Sequence, residues 1–270
     1  MLAAEIAPRL MAKLNFARDR RTDYAFSNFR PDWRTLQLTA HEVPMFDARD
    51  LPEPPTLARE GFELHKVPVT APRWDDEEWI KGIYIPLLRD LVLERTGGVE
   101  AESFPGSWVY RDTVDDKRAP AAGHAHQDRE RENARVYIRK NLGDAIVDRH
   151  KWFENINAWR ALTPPPQDWP LAFCDQRTND PADWLIVNVL EPGLVASGTE
   201  IKHLVSLYNP NLKWYYFSNM QPDEVVLFRN YMDDPARPQG CMHTAFHDTA
   251  AVNPSPRASF ELRLYVFHDD

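Results

Sequence analysis

Hydrophobic residues recur with the period of an α-helix in two stretches in the first half of the chain. The first stretch begins near Asp75 or Asp76, and the Gly97-Gly98 pair ends it. Pro86 lies inside this stretch and should kink the helix, because proline has no N–H for the helical hydrogen bond. The predicted buried face consists of Trp79, Ile80, Ile83, Tyr84, Leu87, Leu88, Leu91 and Val92.

The second stretch, residues 130 to about 151, has the same period among many charged residues. Its apolar positions are Val136, Ile138, Leu142, Ile146 and Val147. We therefore expect a second helix with a solvated, charged face.

The last third of the chain changes to short runs of high β propensity, bounded by Pro, Asn, Asp or Gly. These runs are residues 185–190, 214–217, 224–228 and 260–267. The last run alternates, which predicts a strand with one face formed by Phe260, Leu262, Leu264 and Val266 and the other by Glu261, Arg263 and Tyr265. Helices followed by strands predict an α+β fold around an antiparallel barrel or jelly roll, with N-terminal and flanking helices.

The composition is that of a globular protein with a sizeable core, with 43% hydrophobic and 27% charged residues. A chain of 270 residues can form one large domain, and its prolines are spread out rather than gathered in a linker. We expect a single domain, residues 1–270. Residues 1–105 should form a mainly helical N-terminal part, and residues 106–270 should form the jelly-roll core.

The charge balance excludes one class of partner. A net charge of −9 and an isoelectric point near 5.5 do not fit the basic surface of a nucleic-acid-binding protein. Nowhere do about 18 apolar residues run together, so we expect no membrane-spanning segment. The two cysteines, Cys174 and Cys241, encode no disulfide framework and predict a cytoplasmic protein.

Two imidazoles and a carboxylate fall within five positions in the stretch GHAHQD, residues 123–128. Residues i and i+2 of a strand face the same side, so His126 and Asp128 could bind one metal ion. Two histidines and one carboxylate on one face of an octahedral ion leave three positions open, as in the non-haem Fe(II) oxygenases. A surface turn is the alternative for this stretch.

A distant histidine could complete such a set. His243 is followed fourteen residues later by Arg257, which opens the sequence Arg257-Ala258-Ser259. In 2-oxoglutarate-dependent oxygenases, a distal histidine ligand precedes an Arg-x-Ser by about this interval. The far carboxylate of the co-substrate needs a guanidinium and a hydroxyl donor, which Arg257 and Ser259 would supply. A surface salt bridge is the alternative role for Arg257.

Through most of its length the chain resembles one oxygenase family. That family contains the cephalosporin hydroxylase-related protein of cephamycin biosynthesis and the fungal gibberellin and aspergillic acid desaturases or hydroxylases. The segments that carry the resemblance are NAWR (157–160), DWPLAFCD (168–175), WYY (214–216), DEVVLF (223–228), HTAF (243–246) and RASFELR (257–263). The chain departs from the family at Met242, Ala258 and Ala161, where the family tends to have Pro, Glu and Pro. None of these departures removes a predicted ligand.

The resemblance implies a double-stranded β-helix that requires Fe(II), 2-oxoglutarate and O2. It implies that His126, Asp128 and His243 bind the iron and that Arg257 and Ser259 bind 2-oxoglutarate. The implied activity is hydroxylation of a small-molecule secondary metabolite, with desaturation or ring formation as the close alternative, and with succinate and CO2 as products.

The family's His-x-Asp-Gln motif can be aligned on this chain in two ways. A start at His126 retains Asp128 as a ligand, and we choose it. A start at His124 would make the ligands three histidines, a set more typical of zinc. In the chosen alignment His124 supports a ligand or faces the substrate, and the other candidate substrate-binding residues are Asn157, Trp159 and Arg160.

Two other classes of function fit part of this pattern. The chain could be a non-catalytic jelly-roll binding protein or a zinc-dependent hydrolase of the cupin type, since one fold supports many functions. The Arg257-x-Ser259 pair argues against a hydrolase, because a hydrolase has no need of it at this distance from His243.

Overall fold

A computed structural model describes residues 6–27, 31–115 and 118–270. In this part of the chain two β-sheets pack against each other, with helices at their flanks. Side chains from the two sheets meet at Asp128, which follows a strand of the first sheet and contacts Asn157 and Arg263 of the second. No helix in the described ranges is long and apolar enough to cross a membrane.

The first sheet has nine strands within the described residues, in the order β1-β3-β12-β9-β14-β7-β11-β10-β2. Their bounds are β1 Leu10–Ala17, β2 Ala25–Phe26, β3 Leu38–Asp47, β7 His126–Gln127, β9 Leu171–Cys174, β10 Trp184–Val189, β11 Ile201–Ser206, β12 Trp214–Tyr216 and β14 His243–Ala245. Short strands β7 and β14 therefore lie in the middle of the sheet, between longer ones.

The second sheet has the order β4-β13-β8-β15-β5, and β6 pairs with β15 as well. The bounds are β4 Phe62–Lys66, β5 Glu100–Glu102, β6 Trp108–Asp112, β8 Trp152–Ala161, β13 Glu224–Met232 and β15 Ala258–His268. The helices are α1 Glu77–Trp79, α2 Ile85–Thr96, α3 Arg131–Leu142, α4 Asp144–Asp148 and α5 Pro192–Ser197.

The first predicted helix is confirmed, with an irregular turn in its middle. Asp76 caps it, because its carboxylate accepts hydrogen bonds from two backbone N–H groups of the first turn. A π-helical turn, Ile80–Tyr84, joins α1 to α2. Pro86 follows in the first turn of α2, where a missing N–H costs least. Gly97, with φ of +73°, ends the helix in the left-handed conformation.

The π-helical turn changes which residues the helix buries. The N–H of Ile85 bonds to the carbonyl of Ile80, an i→i+5 bond that places one more residue in the turn than an α-helix has. Ile83 and Leu87 are 56% and 39% exposed, so their predicted place on the buried face was wrong. The extra residue rotates the apolar face away from them.

The second predicted helix is broken in two. Gly143, with φ of +90°, separates α3 from α4. Ile138 is buried as predicted, whereas Val136 is 67% exposed. Positive φ at a single glycine ends the regular hydrogen bonding and reorients the chain.

The prediction that residues 1–105 are mainly helical was wrong. Strands β1 to β5 lie in this range, and β1 pairs with β3 over eight residues, from Leu10 opposite Met45 to Ala17 opposite Leu38. Leu14 and Phe16 of β1 are fully buried in the first sheet's core. The N-terminal part therefore builds the sheet that holds the candidate ligands.

Strand β15 has the predicted alternation, but its second face is not solvated. Its apolar face packs with α2 in one cluster that contains Phe260, Leu262, Leu264 and Val266. Glu261 lies on the other face and is buried, and Arg263 beside it reaches Asp128 across the interior. The polar positions of this strand therefore line the space between the two sheets.

Candidate metal centre and its cavities

Strand β7 brings three histidines together. His126 lies directly opposite His243 on β14 and opposite Val205 on β11. Directly opposite residues share a face of the sheet and are close neighbours, and the rings of His126 and His243 are 4.3 Å apart between centroids. His203 precedes Val205 by two residues, so it shares this face, and its ring centroid is 5.6 Å from that of His126.

The two oxygens of Asp128 have different surroundings. Oδ1 lies 3.3 Å from Nε2 of His126 and 3.9 Å from Nε2 of His243. Oδ2 accepts hydrogen bonds from Nε of Arg263 at 2.9 Å and from Nδ2 of Asn157 at 3.3 Å. The second sheet thus holds one oxygen and leaves the other facing the imidazoles.

Backbone carbonyls orient two of the imidazoles. Nδ1 of His126 donates to the carbonyl of His124 at 2.8 Å, and Nδ1 of His243 lies 3.5 Å from the carbonyl of Cys241. With Nδ1 engaged in this way, Nε2 carries the free lone pair of each neutral ring. Both Nε2 atoms face Asp128, which is the arrangement needed to share an ion.

His203 is a functional candidate that sequence reasoning missed. The ligand atoms of His126, Asp128 and His203 lie within 4.8 Å of one another. His203 is the single histidine of an otherwise apolar and basic strand, and no motif surrounds it. Only the pairing of β11 with β7 brings it to the site.

Burial sets the protonation states of this cluster. It lowers the pKa of His243 to about 3 and also lowers the pKa values of His124 and His203. Burial would raise the pKa of Asp128, but the positive charge of Arg263 holds it well below its ordinary value. His203 and His243 are therefore neutral beside a charged carboxylate, and these are the forms that bind a divalent cation.

This protonation pattern predicts that the metal-free protein loses stability as the pH falls from about 7 to about 5. An unfolded histidine protonates near pH 6.5, whereas folded His243 protonates near pH 3. The unfolded chain therefore binds more protons in this range, and each such group removes at most about 1.4 kcal/mol per pH unit. Denaturant unfolding in a chelating buffer would measure this, and His243→Asn should have a shallower slope. An equal slope in that variant would contradict the assignment.

Arg257 is a buried cation with no carboxylate in ion-pair contact among the described residues. It is 1% exposed, and its Nη1 donates to the carbonyl of Trp169 at 2.9 Å, while Nε has no hydrogen-bond partner. Burial and the like charge of Arg111 lower its pKa to about 9. The hydroxyl of Ser259 is also buried without a partner among the described residues. Unpaired buried donors and a cation cost free energy, which a bound carboxylate would recover.

Two cavities meet at the histidine cluster. The inner cavity lies between the cluster and Arg257 and is lined by Arg111, Ala122, His126, Asp128, Trp159, Leu171, His243, Arg257, Glu261 and Arg263. The outer cavity, of about 420 Å³, shares His126 and Asp128 and is also lined by Phe26, Pro105, Gly106, Arg111, Ala122, His124, Arg129, Tyr137, Asn141, Val189, Glu191, Ser197, Thr199, Ile201, His203 and Arg263.

Two of the four predicted substrate-binding residues line these cavities, a third contacts a residue that does, and the fourth lies elsewhere. Asn157 contacts Asp128, Trp159 lines the inner cavity and His124 lines the outer one. Arg160 points to the opposite face of β8, where it donates to backbone carbonyls and lies over the rings of Trp74 and Tyr84. Its predicted role was wrong, because consecutive residues of a strand face opposite sides.

Comparison with known proteins identifies the family. A family model described as an oxidoreductase/YMDC permease-like domain matches residues 14–267. Hydroxylase/desaturase efuI of Hormonema carpetanum is 30% identical, over 100% of this chain and 99% of its own. The Fe(II)/2-oxoglutarate-dependent dioxygenase nvfI of Aspergillus novofumigatus is 28% identical, over 85% of this chain and 84% of its own. The chain belongs to the Fe(II)/2-oxoglutarate-dependent oxygenase family.

Solved structures share the fold of this oxygenase. The iron and alpha-ketoglutarate-dependent endoperoxidase NvfI superposes with a TM-score of 0.83 at 24% identity, over 97% of this chain and 98% of the other. A variant of NvfI superposes with a TM-score of 0.85 over both complete chains. The predicted double-stranded β-helix is confirmed. Family membership confirms the predicted class, a 2-oxoglutarate-dependent non-haem iron dioxygenase, and its cofactors.

Proposed function

We propose that this oxygenase hydroxylates, desaturates or cyclises a small-molecule secondary metabolite through His126, Asp128 and His243 as iron ligands. Arg257 and Ser259 bind the distal carboxylate of 2-oxoglutarate. The observation that carries the proposal is the buried Arg257, which has no ion pair among the described residues, near the buried hydroxyl of Ser259, which has no hydrogen-bond partner among them. Arg257 lines the inner cavity together with two histidines and the Asp128 carboxylate.

The third ligand is His243 rather than His203. His243 lies directly opposite His126, and its Nδ1 faces a backbone carbonyl, which is typical of a ligating imidazole. Nδ1 of His203 is buried, and no described residue forms a hydrogen bond with it. That imidazole lines the outer cavity, where a substrate would lie.

We also propose that residues 1–270 form one domain and that the protein is cytoplasmic. The first proposal is supported by the family match over residues 14–267. The second rests on the two cysteines, Cys174 and Cys241, which are free and buried.

In this reaction the protein binds the iron and the co-substrate and orients the groups that bind them. Fe(II), with 2-oxoglutarate and O2, supplies the power to oxidise an unactivated C–H bond and leaves succinate and CO2. Arg263 and Asn157 bind Oδ2 of Asp128, so that Oδ1 stays directed toward the two Nε2 atoms. The guanidinium carbon of Arg257 lies 5.8 Å from the ring centroid of Trp159, and this contact helps to hold the guanidinium in place.

Which product forms depends on how the substrate is held. A displacement of about 1 Å changes which atom is in reach after the first hydrogen is removed, by the usual sensitivity of positioned reactions. Hydroxylation is the simplest outcome, and desaturation or ring formation follows from a different placement.

The test is anaerobic titration of the metal-free protein with Fe(II) and then 2-oxoglutarate. We expect a weak visible charge-transfer band that needs both additions, followed by succinate formation when O2 is admitted. A folded protein that gives neither the band nor succinate would contradict the proposal and favour a binding protein or a zinc hydrolase.

A further inference from the structure

Arg111 lines the outer cavity and has no ion pair within the part of the chain that the structure describes. Arg111 lies on β6, directly opposite Ser259 of β15. Its side chain is half-buried, and its Nη1 donates to the carbonyl of Pro120 at 2.8 Å. This carbonyl is its hydrogen-bond partner among the described residues, so the other N–H groups of the guanidinium remain available to a ligand.

The carboxylates that line the outer cavity have other partners. Asp128 binds Arg263, and Glu191 accepts a hydrogen bond from the hydroxyl of Ser27 at 2.8 Å. Within the described ranges neither carboxylate is within ion-pair distance of Arg111. Arg111 therefore has no ion-pair partner among the described residues.

The same conclusion follows from the charges around the inner cavity. Three arginines and two carboxylates line it. Arg263 pairs with both carboxylates, those of Asp128 and Glu261. A divalent metal and the 2-oxoglutarate dianion cancel each other, so the loaded site keeps one positive charge. A monoanionic substrate would neutralise it.

The position of Arg111 favours the substrate over the co-substrate. Arg257 lines only the inner cavity, whereas Arg111 lines both the inner and the outer cavity. In the arrangement proposed above, one carboxylate of 2-oxoglutarate binds the metal and the other binds Arg257 and Ser259. No co-substrate charge is left for Arg111, and its guanidinium can serve a ligand in the outer cavity.

Two imidazole nitrogens add polar atoms to the lining of the outer cavity that contains Arg111. Nε2 of His124 and Nδ1 of His203 are buried and have no hydrogen-bond partner in the described ranges, and both residues line the outer cavity. His124 is 5% exposed and packs edge-on against Phe26. Buried nitrogens normally have hydrogen-bond partners, and polar groups of a bound ligand would supply them here.

We propose that the substrate of this oxygenase is an organic carboxylic acid whose carboxylate binds Arg111, with His124 and His203 bonding its further oxygen atoms. The inference rests on the proposed function, because it assumes that the metal and 2-oxoglutarate bind between the histidine cluster and Arg257. A guanidinium binds a carboxylate through two parallel hydrogen bonds, which discriminates strongly against the uncharged amide.

The experiment compares two probes of equal shape, cyclohexanecarboxylate and cyclohexanecarboxamide. Each is titrated by ligand-observed NMR into the full chain loaded with Zn(II) and 2-oxoglutarate, since zinc has no redox chemistry and no turnover occurs. We expect the acid to bind at least about tenfold more tightly than the amide. Arg111→Gln should reduce this preference to within about twofold, and Arg111→Lys should retain part of it.

Arg9→Gln is the matched control, because Arg9 is an exposed arginine paired with Asp50. It should leave the preference unchanged. Equal binding of acid and amide to the natural protein, no binding of the acid, or a full preference in Arg111→Gln would overturn the proposal. It would also be overturned if Arg111→Gln weakened 2-oxoglutarate binding more than about threefold, which would assign Arg111 to the co-substrate. Failure of the natural protein to bind 2-oxoglutarate with metal would instead refute the proposed function.

Discussion

Asp128→Ala is expected to lower 2-oxoglutarate turnover at least about a thousandfold and to abolish stable Fe(II) binding. The carboxylate is the only anionic member of the proposed ligand set, so its loss leaves two neutral imidazoles for a hard divalent ion. Succinate formation and metal content after gel filtration would measure the two effects. Wild-type turnover in this variant would remove Asp128 from the metal site.

Stability has to be separated from ligation in this experiment. Asp128→Ala leaves Arg263 without this partner in the interior, and breaking a buried pair costs about 3–5 kcal/mol. Asp128→Asn is the better-matched variant, because it keeps the shape and one acceptor oxygen for Arg263. We expect Asp128→Asn to fold and still to lose Fe(II).

The same assay decides between the two candidate third ligands. His243→Ala should lose Fe(II) in parallel with Asp128→Asn. His203→Ala should retain Fe(II), because His203 is assigned to the substrate side of the cluster. The reverse result would make His203 the ligand.

Arg257→Ala is expected to raise the 2-oxoglutarate concentration needed for half-maximal succinate formation about a hundredfold or more. A hydrogen bond to a charged group contributes about 1.5–3 kcal/mol, and the substitution removes two such bonds together with the matching charge. Fe(II) binding should stay intact, because Arg257 lies across the inner cavity from the ligands. An unchanged co-substrate requirement would contradict the assignment.

Two further variants sharpen this prediction. Ser259→Ala removes one neutral donor and should raise the requirement about tenfold. Arg257→Lys keeps the charge but not the two parallel bonds, and it should fall between Ser259→Ala and Arg257→Ala. In Arg257→Ala the advantage of 2-oxoglutarate over 2-oxovalerate, which lacks the distal carboxylate, should also disappear.

Local pattern predicted the elements well where one face of an element is apolar. The alternation over β15 and the helical period before Gly97 report burial directly, because side chains on one face share one environment. The same reasoning failed for Ile83 and Leu87, since a π-helical turn breaks the period that it assumes. Reasoning from the local pattern also failed for residues 1–105. The strands there are partly exposed, and their mixture of charged and apolar residues resembles the pattern of an amphipathic helix.

The sequence by itself determined the candidate ligands and their chemistry. The His-x-Asp at 126–128, the distal His243 and the Arg257-x-Ser259 are local motifs whose residue types suit a metal and a carboxylate. Their resemblance to one oxygenase family was also present in the sequence alone. The His-x-Asp and Arg-x-Ser motifs can be recognised without a structure, because the residues of each are close neighbours in the chain.

Only the tertiary structure decided how the site is completed. Arg263 reaches Asp128 across 135 positions of sequence, and the direction in which Arg160 points depends on which face of β8 is turned inward. His203 and Arg111 enter the site through the pairing of β11 with β7 and of β6 with β15. Strand register between distant segments is set by the packing of the whole sheet, so no local pattern in the sequence contains it.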